Sequence, residues 1–469
     1  MKELRRNMRI VGALMLLFFI GAGIWYGITV YTQGSVWASN VYNTRLNKTA
    51  SQRGDIIDRD GVVLATNGNE GERVYLGNDT ARRALSQTVG DTAGMSGTGV
   101  ETFFSATLLD ISTSLTDRLS ELFNNAGHVG SSVQITVDAE LQTNIVSLFP
   151  KGYSGAVCLI NYKTGEILAM VSMPNYDPDA LKNRATAEVA DTAYLNRCLQ
   201  GLYTPGSIFK IVTLASALEY DPQVVMQAFT CSGTWEYEGG DIVCMSGRTA
   251  HGDMDLEKAF VKSCNVTFGK LAYQLGLDRL RRTAETFGFN ENFKFGDFMI
   301  YNSAFPESVN NMNGLVWAGI GQGEVLVTPL HMAMISGAVA NGGLMMQPYL
   351  VDEIRTSLDQ VTHSGMPRVY RRVMSASTAT TIAKYMYETV RTGTAGRAAV
   401  SGLTICGKTG SAETSDDKSV ETNAWYTGFI YDETHPYAIS VVIEEGGAGG
   451  NLAAGLAADA MALAVKRVG

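Results

Sequence analysis

The sequence predicts an α+β protein with three parts. These are an N-terminal transmembrane helix, a small membrane-proximal unit, and a larger unit built on an antiparallel sheet flanked by helices. Three observations predict it. Residues Ile10 to Tyr31 contain no charged side chain, and Lys2, Arg5, Arg6 and Arg9 precede them. A Gly/Ser-rich joint at Gly127–Ser132 separates two stretches of different composition. Beyond it, hairpin patterns stand at both ends of a long, mostly helical middle, so the sheet is assembled from the two ends of the unit.

Each element has a local cause. Twenty-two apolar residues at ~1.5 Å each span roughly 33 Å, enough for a hydrocarbon core of ~30 Å. The basic flank stays in the cytoplasm because translocating Lys or Arg is costly. The expected division is therefore a cytoplasmic tail (1–9), an anchor (10–31), a membrane-proximal unit (32–132) and a larger unit (133–469) outside the membrane. Ser35–Ala50 reads as polar, helical or extended. Asp60-Gly61 between two β-branched runs reads as a hairpin turn. Helical stretches are expected near Glu101–Leu109 and Leu115–Phe123. After the joint, Val133–Val137 is a strand and Asp138 an N-cap for a helix through Phe149. Gly155–Ile160 pairs with Glu166–Val171, Leu403–Cys406 is a strand, and Ala424–Tyr431 pairs with Tyr437–Ile443. Leu452–Val468 is a closing helix.

Composition excludes several classes. Hydrophobic residues make up 45% of the 469 and charged residues 18%, which suits packed cores rather than disorder. The net charge of −9 argues against nucleic acid as a partner. The 6 Cys and 5 His contain no C-x-x-C and no H-E-x-x-H, so no metal site and no cofactor is expected. Arg53-Gly54-Asp55 reads as a turn, and Asp58-x-Asp60-Gly61 lacks the remaining ligands of a calcium loop. Cys231 and Cys244 bracket a turn-rich insertion and are candidates for a disulfide. Cys264 and Cys406 have no neighbouring His in the chain to activate a thiolate, so both read as packing residues.

Three short motifs carry chemistry. In Thr204-Pro205-Gly206-Ser207-Ile208-Phe209-Lys210, Pro opens a helix that places Ser207 and Lys210, three apart, on one face. A serine hydroxyl needs a neighbour to take its proton, and a buried, neutral lysine can do so. Ser263-Cys264-Asn265 offers a hydroxyl relay and an amide clamp. Lys408-Thr409-Gly410 follows a strand. Each motif is cheap alone: Ser415-Asp416-Asp417-Lys418, Ser308-Val309-Asn310 and Lys163-Thr164-Gly165 repeat the patterns. Gly402–Thr409 also spells a phosphate loop, but Leu403–Cys406 are strand formers where that loop needs a flexible turn.

The three motifs in this order resemble the penicillin-binding protein and serine β-lactamase superfamily. Arg53–Ala65, Asn196–Tyr203, Gly319–Gly323 with Thr328-Pro329-Leu330, and Ala424–Gly428 are similar to blocks of class B penicillin-binding proteins, the monofunctional transpeptidases, in a compact subgroup. The resemblance implies a transpeptidase-like fold for the larger unit, with Ser207 attacking the penultimate D-alanine of a peptidoglycan stem peptide and Lys210 as its base. Ser263, helped by Lys408, would relay a proton to the leaving amine, and Asn265 would hold substrate and Lys210. Thr409 with Lys408, and Gly410, would bind the substrate, and the backbone N–H groups of Ser207 and Ser411 would form the oxyanion hole. It further implies D-Ala-D-Ala stem peptides on lipid II-derived glycan strands as substrate, β-lactams as inhibitors, and a SEDS-type glycan polymerase as partner. A D,D-carboxypeptidase and a mainly structural activator of a polymerase remain as alternatives.

Overall fold

The computed structural model describes residues 2–38, 52–69, 71–109, 130–183, 189–244, 249–414, 417 and 420–468. The first helix runs over Lys2–Ala38, longer than the apolar run, and Arg6–Thr29 is a candidate membrane span. The stretches expected at 39–50 and Leu115–Phe123 lie outside the described residues, as does Ser415-Asp416 with Lys418. Glu101–Leu109 is two single turns, Val100–Phe103 and Ser105–Leu108, rather than one helix.

The larger unit is centred on a five-stranded antiparallel sheet in the order Ile405–Ala412, Asn423–Ile430, Tyr437–Ile443, Gly155–Asn161, Ile167–Met173. The two predicted hairpins meet at its middle, where Ser440 faces Cys158. Alternate residues of each strand enter different cores. Ala156, Cys158 and Ile160 join one with the helix Pro329–Ala340, while Val157 and Leu159 join another with the closing helix Leu452–Val468. Burial on both faces explains why these strands read as continuous apolar runs. The helix Ala139–Leu148 lies with the closing helix, its N-terminus capped by Asp138, which accepts the Leu141 N–H at 2.8 Å.

The motif strand begins at Ile405 and continues through Lys408-Thr409-Gly410 to Ala412, two residues later and six longer than the predicted end. It crosses two glycines. Gly407 is required because a Cβ there would lie 2.1 Å from the Tyr426 hydroxyl oxygen on the neighbouring strand.

The smaller sheet shows why the joint is not a clean break. Its six strands run in the order Val361–Ser364, Val351–Arg355, Ser132–Ile135, Ile56–Ile57, Val63–Asn67, Arg73–Tyr75. Ser132–Ile135 pairs in parallel with Ile56–Ile57 on one side and antiparallel with Val351–Arg355 on the other. Strands from both sides of Gly127–Ser132 therefore share one sheet. The Asp60-Gly61 turn is tied across as well: Asp58 accepts N–H groups from Asp60 and Val62 and, with its second oxygen, from Ala139 at 3.2 Å. Arg53 and Arg73 both clamp the buried Glu101 carboxylate, so the Arg-Gly-Asp stretch is structural.

Candidate active site

The segment carrying Ser207 is a 3-10 turn, Gly206–Phe209, running into the helix Lys210–Tyr220. Gly206 has φ +57, and a Cβ on it would lie 2.6 Å from the carbonyl oxygen of Ser411. Only glycine lets Ser207 approach the motif strand this closely. The Trp425 indole, donating to the Thr204 carbonyl at 3.1 Å, fixes the approach from the sheet side.

Ser263 sits between two helices, Leu256–Val261 and Asn265–Phe287. The first ends in a Schellman arrangement: the Cys264 N–H donates to Ala259 and the Ser263 N–H to Phe260. That motif wants a left-handed residue, usually Gly, and here it is Ser263 at φ +55. Cys264 then caps the second helix, accepting the Thr267 N–H.

The three motifs converge on the Ser263 hydroxyl. Lys210 Nζ donates to the Ser263 carbonyl at 2.7 Å, the Asn265 side-chain oxygen at 2.7 Å and the Ser263 hydroxyl at 3.3 Å. Lys408 Nζ donates to the same hydroxyl at 2.9 Å and to the Thr409 carbonyl at 3.1 Å. Both lysines are 0% exposed, with the rings of Phe268 and Phe260 each 5.6 Å from one nitrogen. Burial lowers the Lys210 pKa to about 8. It holds Lys408 well below the usual range too, with repulsion from Lys210 adding to it. The outcome is a pair of buried amines donating to one hydroxyl.

Ser207, Ser263, Thr409, Gly410 and Ser411 line one cavity of about 370 Å³. Lys408 is behind this wall, so the side chains available to a ligand carboxylate at the motif strand are hydroxyls. Thr409 shares a 2.6 Å hydrogen bond with Thr394, which lines the same cavity. Thr394 was not singled out from the sequence; the Thr-Gly-Thr turn at 392–394 was its only signal. Asn265 commits its side-chain oxygen to Lys210 and donates to the Val243 carbonyl at 2.9 Å. A second cavity, of about 840 Å³, is lined by Thr204, Trp317, Gln322, Glu324 and Glu413, and adjoins the start of the Ser207 turn and the end of the motif strand. Lys163-Thr164-Gly165 forms a hairpin turn, its Lys163 bonded to Asn341, and takes no part in this site.

The structure corrects the expectation that no histidine neighbours Cys264. Cys231, Cys244, His251 and Cys264 are separated by twelve, six and twelve residues, yet their ligand atoms lie within 4.8 Å of one another. A histidine therefore neighbours Cys264 in space, within a group of four side chains that could hold a metal ion, although no motif spacing announced it. Cys231 and Cys244 are both free thiols, their sulfurs 3.6 Å apart.

Residues 155–462 match the family model of the penicillin binding protein transpeptidase domain. The chain is 29% identical over 451 residues to the peptidoglycan D,D-transpeptidase PbpA of Mycolicibacterium smegmatis, covering 90% of each. It is similar to penicillin-binding protein A from M. tuberculosis, solved as a ceftriaxone acyl-enzyme complex. That similarity has a TM-score of 0.82 and 27% identity, over 90% of this chain and 100% of that one. A D,D-transpeptidase domain from Eggerthella lenta matches with a TM-score of 0.74 and 30% identity, over 90% and 100%. The sheet, its flanking helices and two thirds of the sequence agree with one assignment: the chain belongs to the penicillin-binding protein transpeptidase family, as a class B, monofunctional member.

Proposed function

We propose that the chain is a serine-type peptidoglycan D,D-transpeptidase that cross-links stem peptides through an acyl-enzyme on Ser207 and is inhibited by β-lactams. The carrying observation is the buried Lys210 amine, three residues after Ser207, its pKa lowered to about 8 by burial and its nitrogen held by Ser263 and Asn265. The similarity to a named D,D-transpeptidase and to a β-lactam acyl-enzyme supports the same reading.

In this reading Ser207 Oγ attacks the carbonyl carbon of the penultimate D-alanine and its proton passes to Lys210 Nζ. As a cation, Lys210 uses three N–H groups on the Ser263–Asn265 junction. A neutral amine has two, so the longest contact, 3.3 Å to the Ser263 hydroxyl, is the one released when the lone pair turns to Ser207. The N–H groups of Ser207 and Ser411 hold the oxyanion; losing one such donor typically costs ~3 kcal/mol. The C–N bond to the terminal D-alanine breaks, and Ser263, supplied by Lys408, protonates the departing amine. Thr409, with Thr394 behind it, receives the substrate carboxylate, Lys408 acting through Ser263 and the strand. Asn265 orients Lys210 and offers its remaining N–H to the substrate. Because Ile405–Ala412 is an edge strand, the peptide can lie along its free side past Gly410. An amine from a second stem then attacks the acyl carbon, forming the cross-link and freeing Ser207.

The same reading places Ile10–Tyr31 of the first helix across the membrane, with residues 1–9 in the cytoplasm and the cleft outside. Residues 52–109 and the strands that complete their sheet form a pedestal, available to a SEDS-type polymerase building the glycan strand. The test is labelling with fluorescent penicillin followed by peptide mapping. The label is expected on Ser207 and absent from Ser207→Ala; undiminished labelling of that variant would refute the nucleophile.

A further inference from the structure

Behind the Ser263 junction lies a cluster that none of these steps uses. Cys231 ends the strand Phe229–Cys231, Cys244 follows Gly240–Val243, His251 precedes Gly252–Met254, and Cys264 begins the helix Asn265–Phe287. Four separate elements thus deliver three thiols and an imidazole to one point. The separations are 3.6 Å between the Cys231 and Cys244 sulfurs, 3.7 Å between those of Cys244 and Cys264, and 3.5 Å from Cys231 sulfur to His251 Nδ1. A tetrahedral zinc ion with Zn–S of about 2.3 Å and Zn–N of about 2.0 Å has edges of about 3.8 Å between sulfurs and about 3.5 Å from sulfur to nitrogen.

Packing of small apolar thiols explains burial but not the polar groups aimed at these sulfurs. Cys264 sulfur accepts the Thr267 N–H at 3.4 Å and the Thr267 hydroxyl at 3.3 Å. Cys231 sulfur accepts the Gly233 N–H at 3.4 Å. Donors directed at sulfur favour the thiolate, and such outer hydrogen bonds accompany metal-bound ligands. A site rich in thiolate with one imidazole selects zinc over the hard cations. All three cysteines are at most 2% exposed, whereas His251 lines the cavity that holds Ser207 and Ser263, giving an ion a route from solvent.

We propose that Cys231, Cys244, Cys264 and His251 bind one zinc ion, and that the ion fixes the turn presenting Ser263 and Asn265. Binding breaks three S–H bonds, releases three protons to solvent and forms three Zn–S bonds and one Zn–N bond, with no change of oxidation state. Cys264 lies between the two active-site residues in sequence, so its bond to the ion holds a left-handed residue in place from the neighbouring position. The coupling to catalysis rests on the transpeptidase reading; the ion itself does not.

The experiment uses the full chain purified in detergent. Elemental analysis after zinc loading and gel filtration is expected to give one zinc per chain. Cobalt(II) loading should give a tetrahedral spectrum with thiolate charge-transfer bands. Cys231→Ser and His251→Ala should lose most of the metal, and Cys198→Ala, a buried cysteine outside the cluster, should keep it. Thr267→Val, which removes one donor to the Cys264 sulfur, should weaken zinc affinity about tenfold. Failure of the wild-type chain to retain zinc or cobalt, or a Cys231–Cys244 disulfide in its place, would overturn the site without recourse to any variant. Stripping zinc with a chelator should slow penicillin acylation about tenfold, and re-addition should restore it; an unchanged rate would overturn the coupling. A zinc-loaded chain that penicillin never acylates would instead refute the functional reading and leave the site standing.

Discussion

Lys408 Nζ lies 2.9 Å from the hydroxyl of Ser263, joining the edge strand to a helix junction 145 residues away in the chain. The bond makes the serine hydroxyl the meeting point of both buried lysines. It also explains why a side chain occupies a position whose backbone suits glycine. A non-glycine residue at φ +55 carries local strain, and such strain persists where the surroundings enforce it.

Ser263→Gly and Ser263→Ala should therefore separate function from stability. Both remove the hydroxyl, so both should lose most acylation. Only Gly relaxes the left-handed backbone, and Ser263→Gly should be more stable than Ser263→Ala by about 1 kcal/mol. Chemical denaturation of the two variants measures this. Equal stability would mean that the Ser263 backbone is not strained.

Lys210 sets a pH dependence. In the folded chain its proton is lost near pH 8, against 10.5 unfolded. Penicillin acylation should rise with pH through about 8, as the neutral amine becomes populated. Between about pH 8 and 10.5 the unfolded chain binds more protons at this group than the folded one, so its contribution to stability rises with pH across that window. Stopped-flow acylation between pH 6 and 9 tests the kinetic half. A flat profile would remove Lys210 as base. Lys210→Ala should be nearly as damaging as Ser207→Ala, because nucleophile and base act as one unit.

Glu101 holds Arg53 and Arg73 inside the smaller unit, at 0% side-chain exposure. Glu101→Ala leaves two buried guanidinium groups unpaired and should cost about 3–5 kcal/mol. Thermal melting should show this while the surviving folded fraction still acylates. Loss of less than about 1 kcal/mol would mean that water replaces the carboxylate, as at an exposed pair.

A fragment starting at Ser131 should fold poorly. It retains Ser132–Ile135 and Val351–Arg355 but lacks Ile56–Ile57, which turns the central strand Ser132–Ile135 into an open edge and uncovers the buried Val133 and Ile135. A fragment from Gln52 should be soluble and acylate. Equal solubility and melting temperature of the two would restore the boundary at Gly127–Ser132 as an independent break.

Local signals made much of this legible. The closing helix matches Leu452–Val468 at both ends, and the Asp138 cap and the central hairpins lie where capping and alternation put them. The smaller sheet was not legible as one body. Ile56 pairs with Val133, and Val133 with Ile354, across separations that leave no periodicity to read. Within the site, Ser207 and Lys210 share a helix face by spacing alone. Their convergence with Ser263 and Lys408 was available only through resemblance to a family. The thiol cluster was invisible because its ligands come from four elements with no short spacing between them.

ATP should not bind, despite the phosphate-loop spelling at Gly402–Thr409. Lys408 and Thr409 lie within a continuous strand, and Lys408 points its amine at Ser263 rather than at a phosphate cradle. Calorimetry showing micromolar ATP affinity would contradict this. Lys408→Ala should instead reduce acylation by carboxylate-bearing β-lactams.

The central claim is transfer of the acyl group to an amine. Its direct test is mass spectrometry of the products formed by the purified full chain from lipid-linked, D-Ala-D-Ala-terminated stem peptides on polymerised glycan. The account expects cross-linked dimers that vanish in Ser207→Ala and after penicillin treatment. Monomers trimmed of one D-alanine, with no dimers, would identify a carboxypeptidase and contradict it.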